Sequence, residues 1–294
     1  SIWGYFRRGE AFKQTLGAGW DVSQLEAFHI AETALPASLR EACYREVLPR
    51  QRREIGPAVS YEIWMPKYVT FLNLASFGQS ENVRVGPSAL VSVRAPLDMF
   101  GSSTNSWVLS GSFGLVLAPH GGLFELKTTG KVRYEEQKLV DQLVTYLARA
   151  ASPVLGHVRL VARGSLELRR RDTTRSFVSL GADNGLRGHI SQRSYGYGVN
   201  RLLGNFEVRT LPLKWHSLHV GGVAFYDVGS VFAEFRDMQV HHAVGLGLRF
   251  LFPQFSRYPF SLDGGFSNDP DFRFVPTFAS SQVVPMTAYE DALQ

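Results

Sequence analysis

The segment from Leu123 to Tyr134, LFELKTTGKVRY, repeats with a period of two residues, and this period limits the fold more than any other feature of the chain. Glu125, Lys127, Thr129, Lys131 and Arg133 fall on one face. Phe124, Leu126, Thr128, Val132 and Tyr134 fall on the other. Successive side chains of a strand point to opposite faces, whereas a helix would scatter these residues around its surface. The pattern recurs between His157 and Arg169, where Arg159, Arg163, Ser165, Glu167 and Arg169 oppose Val158, Leu160, Ala162, Leu166 and Leu168. NFEVR sets Asn205, Glu207 and Arg209 against Phe206 and Val208. HHAVGLGLRF sets Ala243, Gly245, Gly247 and Arg249 against Val244, Leu246, Leu248 and Phe250.

Further segments of this kind begin near Trp3, Ala11, Gly56, Tyr68, Val83, Ser106, Leu218, Phe260 and Phe272, giving about a dozen strands or slightly more. Two stretches read as helices. Leu25 to Leu48 places Leu25, Phe28, Leu35, Leu39 and Val47 at near-helical spacing, with Pro36 suited to a helix start. Glu135 to Ala150 carries Leu139, Leu143 and Leu147 at i, i+4. In a barrel both must lie in loops. No linker or low-complexity tract marks a second domain.

Composition keeps two all-β classes open. The 28 glycines and 13% aromatic residues fit many short strands with tight turns. No run approaches the ~20 apolar residues of a transmembrane helix, and the mean hydropathy is −0.07. A soluble sandwich or barrel would turn the apolar face into its core. A transmembrane barrel turns it outward, and its alternation hides it from bulk hydropathy. Two details favour the membrane barrel. The polar faces mix both charge signs with glycine, as a crowded polar lumen would, and several segments reach the ~9–11 residues that cross a bilayer.

The net charge of +5 comes from Lys and Arg spread through the strands, so nucleic acid is not an expected partner. Cys43 stands alone, which excludes an intrachain disulfide and a cysteine-based zinc site. Ser1 in place of an initiating Met leads to the expectation of a processed or truncated chain. PHGG at Pro119–Gly122 reads as a turn, since no Gly-x-Ser-x-Gly elbow accompanies it. GLG at Gly245–Gly247 continues as a strand and is no dinucleotide fingerprint. His241 and His242 point to opposite faces, and Asp269 and Asp271 flank Pro270 without the spacing of a calcium loop. The chain is expected to be no enzyme and to carry no cofactor or metal.

The stretch GLRGH (Gly185, Leu186, Arg187, Gly188, His189) sits in a flexible, basic segment between two alternating strands. It is followed by Gly204-Asn205-Phe206-Glu207, then by Phe225-Tyr226-Asp227-Val228-Gly229, then by VGLGLRF and PFSLDGGFS. In order and spacing, the block from Phe177 to Phe266 resembles the outer-membrane protein-assembly and translocation barrels of the BamA/TamA type. In that family the Leu-Arg-Gly signature lies on a long extracellular loop folded back into the barrel. The family prefers an aromatic residue where this chain has His189, and its barrels end at an aromatic residue where this chain continues PMTAYEDALQ.

The resemblance implies an antiparallel transmembrane β-barrel over residues 1–284, with helical insertions near 25–48 and 135–150, a lid loop at 181–203 and a C-terminal tail at 285–294. The family's sixteen strands exceed the number the pattern supports, so the first strands and the upstream POTRA domains are expected to be missing, or the chain is a smaller relative. By alternation Glu207 shares a face with Asn205 and Arg209, and Asp227 opposes Leu218, Val220, Ala224, Tyr226 and Val228. An arginine tucked into the lumen would therefore pair with both acids beside Gly229, its planar fork serving two acceptors. The implied setting is the bacterial outer membrane, with no cofactor. The implied partners are the lipid bilayer, client outer-membrane or secreted proteins, and accessory periplasmic or lipoprotein subunits. Clients would be handled at a weakly paired first–last strand seam, and Pro276 in the last strand (Phe272 to Val284) lacks the N–H that pairing needs. A passive or scaffold barrel, or the anchor of a missing passenger domain, is the alternative.

Overall fold

The structure is a computed structural model and describes residues 1–26, 48–190, 197–256, 259–267, 274–279 and 284–286. Its strands are β1 (Ile2–Arg8), β2 (Lys13–Leu25), β3 (Arg52–Trp64), β4 (Lys67–Leu72), β5 (Ser80–Arg94), β6 (Ser106–Leu117), β7 (Leu123–Glu135), β8 (Lys138–Ala151) and β9 (Val158–Arg170). They continue with β10 (Val178–Ser179), β11 (Tyr197–Gly198), β12 (Asn200–Thr210), β13 (Leu213–Trp215), β14 (Leu218–Phe232), β15 (His241–Leu251), β16 (Phe260–Ser267) and β17 (Phe274–Ala279). Nearly all join one antiparallel sheet in the order β1-β2-β3-β5-β6-β7-β8-β9-β12-β14-β15-β16-β17. β4 and β13 pair at its margin, and β10 with β11 forms a small separate ladder.

The expected barrel is not closed. Among the described residues β1 and β17 are the two edges and no pairing joins them. Each step along the sheet is antiparallel, so these edge strands run in the same direction and an antiparallel seam between them is not available. The sheet nevertheless curves. The Arg133 guanidinium on β7 donates to the Glu54 carboxylate on β3, although β5 and β6 lie between them. Three inter-strand steps of a flat sheet would separate their backbones by about 14 Å.

The helix expected over Glu135–Ala150 is instead β8. A spacing of four residues fits one face of a helix, but four is also a multiple of two, so Leu143 and Leu147 share a face of a strand equally well. Glu136 and Gln137, at φ 49° and 62°, form the tight two-residue turn that folds β8 back onto β7. The register then shifts between Lys131 and Arg133 at a bulge, where Asp141 takes φ 49° and presents its carboxylate to the inner face. The other expected helix, near 25–48, lies almost wholly outside the described residues, as do Cys43, Asp269 and Asp271. Leu25 itself ends β2.

Burial along the strands is inverted relative to a water-soluble sheet. Asn205, Glu207 and Arg209 are buried on β12 while Phe206 and Val208 are exposed. On β15 Arg249 is buried and Val244, Leu246 and Leu248 are exposed, Leu246 to 72%. The same holds on β16, where Asp263 is buried between exposed Leu262 and Phe266. The charged side chains line the face toward which the sheet curves.

Candidate functional site

Residues 180–190 follow β10 and lie against the inner face of the main sheet over β12, β14, β15 and β16. Leu180, Leu186 and Leu203 form a buried apolar cluster with Val231 beside it, which anchors the loop by its own side chains. Two glycines allow the approach. Gly185 (φ +94°) would place a Cβ 2.8 Å from Leu203 Cδ2, and Gly188 (φ +82°) one 3.1 Å from the backbone carbon of Gly265. Both conformations are left-handed and strain any side chain. Gly229 on β14 gives way for the loop from the other side, since a Cβ there would stand 3.1 Å from both methyl carbons of Leu180.

Arg187 is carried to the centre of this contact and is fully buried. Its Nε donates to Asp227 Oδ2 at 2.7 Å and its Nη2 to Asp227 Oδ1 at 2.8 Å, while its backbone N–H reaches Oδ2 at 3.2 Å. Nη1 donates to Glu207 Oε1 at 2.6 Å and to Asp263 Oδ2 at 3.3 Å. The guanidinium carbon lies 3.7 Å from the centroid of the Phe225 ring, a cation–π contact that fills the face left open by the acids. Asn205 joins loop and wall, its Nδ2 donating to the Gly185 carbonyl at 2.6 Å and to Asp227 Oδ1 at 2.8 Å. His189 donates from Nε2 to the His242 carbonyl at 3.0 Å and stacks edge-on against His241. The expected residues Gly185, Leu186, Arg187, Gly188, His189, Glu207, Asp227 and Gly229 are thus brought together in one place.

Three members were not singled out from the sequence. Asp263 accepts from Arg187 and also from Arg249 Nη1 at 2.5 Å and Nη2 at 3.2 Å. Arg209 donates from Nε to Glu207 Oε2 at 2.7 Å. With them the site holds three guanidiniums (Arg187, Arg209, Arg249) and three carboxylates (Glu207, Asp227, Asp263), each no more than 3% exposed. Such a cluster is neutral as a whole, the condition under which buried charge is tolerated. Alternation alone places Asp263, Arg209 and Arg249 on the inner face. Which of them meet depends on how the strands stack across the sheet.

A second segment reaches the same site from the opposite end of the sheet. Between β4 and β5 the chain folds inward and is held by Glu81, whose Oε1 accepts from the backbone N–H groups of Leu74, Ala75 and Ser76 and from Ser76 Oγ. Phe71, Leu74 and Ala75 pack with Leu123, Ala151, Val161, Val284 and Met286. Arg209 ties this plug to the site, donating from Nη1 to the Leu74 carbonyl at 3.2 Å and from Nη2 to the Val284 carbonyl at 2.7 Å. Val284 and Met286, at the junction with the expected tail, are fully buried.

The arrangement offers no nucleophile poised against a base. Its chemistry is that of a latch, in which one loop cation is gripped by acids from three strands. Compared with protein families and with curated proteins, the chain matches none.

Proposed function

We propose that this chain forms the wall of an outer-membrane β-barrel of the assembly or translocation type, with the 180–190 loop as an internal lid held by Arg187. The inverted burial carries the membrane part of the reading. Each large aliphatic or aromatic side chain left in water forfeits about 1.5–3 kcal/mol relative to burial, and β12, β15 and β16 each expose such residues on one face. A hydrocarbon environment removes that cost. Strand lengths agree, since β2, β3, β7, β8 and β9 each reach 13 or 14 residues, more than the ~9–11 a tilted strand needs.

The assembly part rests on the latch and the edges. A loop locked across the inner face and a plug from the other end both oppose free passive diffusion, which weighs against a simple pore. β1 and β17 each present a row of backbone groups with no sheet partner among the described residues, the template on which an incoming strand can pair. Pro276, opposite Gly264 in β17, softens that margin further. The test is reconstitution of the purified chain into phospholipid vesicles with an unfolded outer-membrane barrel as client. Faster conversion of the client to a protease-protected form than in empty vesicles is expected, with the gain lost in Arg187→Ala. A chain that is monomeric in water without detergent, or vesicles no better than empty ones, would overturn the reading.

A further inference from the structure

The chain beyond β17 is seated far from its own strand. β17 ends at Ala279, yet Val284 and Met286 are fully buried in one cluster with Phe71, Leu74 and Ala75 of the plug and Val161 of β9. In sheet order β16, β15, β14 and β12 all stand between β17 and β9. Val161 is the cross-strand partner of Glu207 and shares its inner face. The tail therefore docks on the concave side, several strands away from the edge it follows.

β17 has little else to hold it. Among the described residues it pairs with β16 alone, over six residue pairs, and one of these sets Gly264 against Pro276, which has no N–H to give. Phe274 and Phe278 are exposed on its outer face, and only the lid's turn at Ala182–Asn184 comes near it from the other elements of the site. A strand paired on one side through an interrupted ladder frays readily. Five residue steps keep its end within about 18 Å of Val284, and such a tether favours re-pairing by effective concentration. The seat depends in turn on the plug. Arg209 donates to the Leu74 carbonyl from Nη1 and to the Val284 carbonyl from Nη2, so one guanidinium holds plug and tail together.

We propose that residues 284–286 form a strap that ties the edge strand β17 to the plug, so that displacing the plug loosens β17 from β16. The strap names what regulates the sheet margin, and its biological use rests on the reading of that margin as a client site. With the strap seated, β17 stays in register and the ladder with β16 is closed to insertion. With the plug drawn off the inner face, Val284 and Met286 lose their apolar seat and Arg209 its second carbonyl. β17 is then free to exchange its partner for another strand.

The test is amide exchange of the full chain in a maltoside detergent without client, so a failure of the strap is distinct from a failure of client handling. Met286→Ser should accelerate exchange along β17 by about tenfold or more, the loss of one buried anchor, while β2 and β3 keep their protection. Leu74→Ser alters the plug and not the tail, yet it should accelerate β17 as well. The double variant should add little to either, because both act through one seat. Leu262 and Phe278 are direct partners on β16 and β17. A disulfide between Leu262→Cys and Phe278→Cys, in a Cys43→Ser background, should restore the protection of β17 in Met286→Ser, which tells a loosened strand from a damaged fold. Unchanged exchange along β17 in Met286→Ser, acceleration shared equally by β2 and β3, a Leu74→Ser effect that spares β17, strictly additive effects, or no rescue by the disulfide overturns the proposal.

Discussion

Arg187 grips Asp227 with two nearly parallel hydrogen bonds, Nε to Oδ2 at 2.7 Å and Nη2 to Oδ1 at 2.8 Å, while its remaining Nη1 reaches Glu207. Lysine cannot reproduce that fork, so charge and geometry are separable here.

Arg187→Ala leaves Glu207, Asp227 and Asp263 facing one another without their shared cation. Removing one partner from a buried charge cluster costs about 3–5 kcal/mol, and the expected outcome is release of residues 180–190 with the sheet intact. Arg187→Lys should release the loop nearly as well. Protease protection of the loop, measured in a double-mutant cycle with Glu207→Gln and Asp227→Asn, reads the coupling. Strictly additive effects would show that the three side chains do not act as a unit.

Leu246→Arg separates a bilayer from water as the medium of the outer face. Leu246 is 72% exposed, so in water the change is nearly neutral. At the middle of a bilayer it costs about 2–4 kcal/mol. Refolding into vesicles should therefore fall sharply for Leu246→Arg and little for Ser152→Arg at a strand end.

Gly188→Ala should loosen the lid without touching a charge. The residue sits at φ +82° with the Gly265 backbone 3.1 Å from a built Cβ, and the left-handed conformation alone costs about 1–2 kcal/mol for a non-glycine residue. Amide exchange across 180–190 should accelerate while the strands of β7 and β8 keep their protection. Unchanged exchange in the loop would remove the close approach from the account.

Acid reaches another loop in a defined order. Burial pushes the Asp172 carboxyl up, but donors from Ser176 and Thr174 outweigh it and hold its pKa below the usual carboxylate value. A group depressed in the folded state contributes stability above its unfolded pKa of about 3.9, and loses it as pH falls through the lower folded value. The turn at 172–176 should therefore stay closed through the ordinary carboxylate range and open only below it, and Asp172→Asn should abolish that dependence. Protection factors of the Thr174 and Ser176 amides, corrected for intrinsic exchange, check it. Opening already above about pH 4 would contradict the assignment.

Much of the sheet was legible because alternation is a local signal. The starts of β6 at Ser106, β14 at Leu218 and β16 at Phe260 follow from it, as does the inner placement of Glu207 and Asp227. β8 escaped because its leucines repeat at a spacing shared by both periods, and because the bulge at Asp141 breaks the pattern that would have decided between them. Asp263 and Arg249 were visible as inner-face charges but not as partners of Arg187, since that meeting depends on register across β14, β15 and β16. Closure of the sheet was beyond local reading altogether, being a property of strand count and direction.

Arg209 spends its donors in two directions, on Glu207 beneath the lid and on the carbonyls of Leu74 and Val284 in the plug. The two inward segments enter from opposite ends of the sheet, yet one orientation of a single guanidinium serves both at once. Freeing either one removes part of what fixes Arg209 in place for the other, and thermodynamic reciprocity makes the influence equal both ways. A signal arriving at one mouth of the sheet is in this sense already a signal at the other.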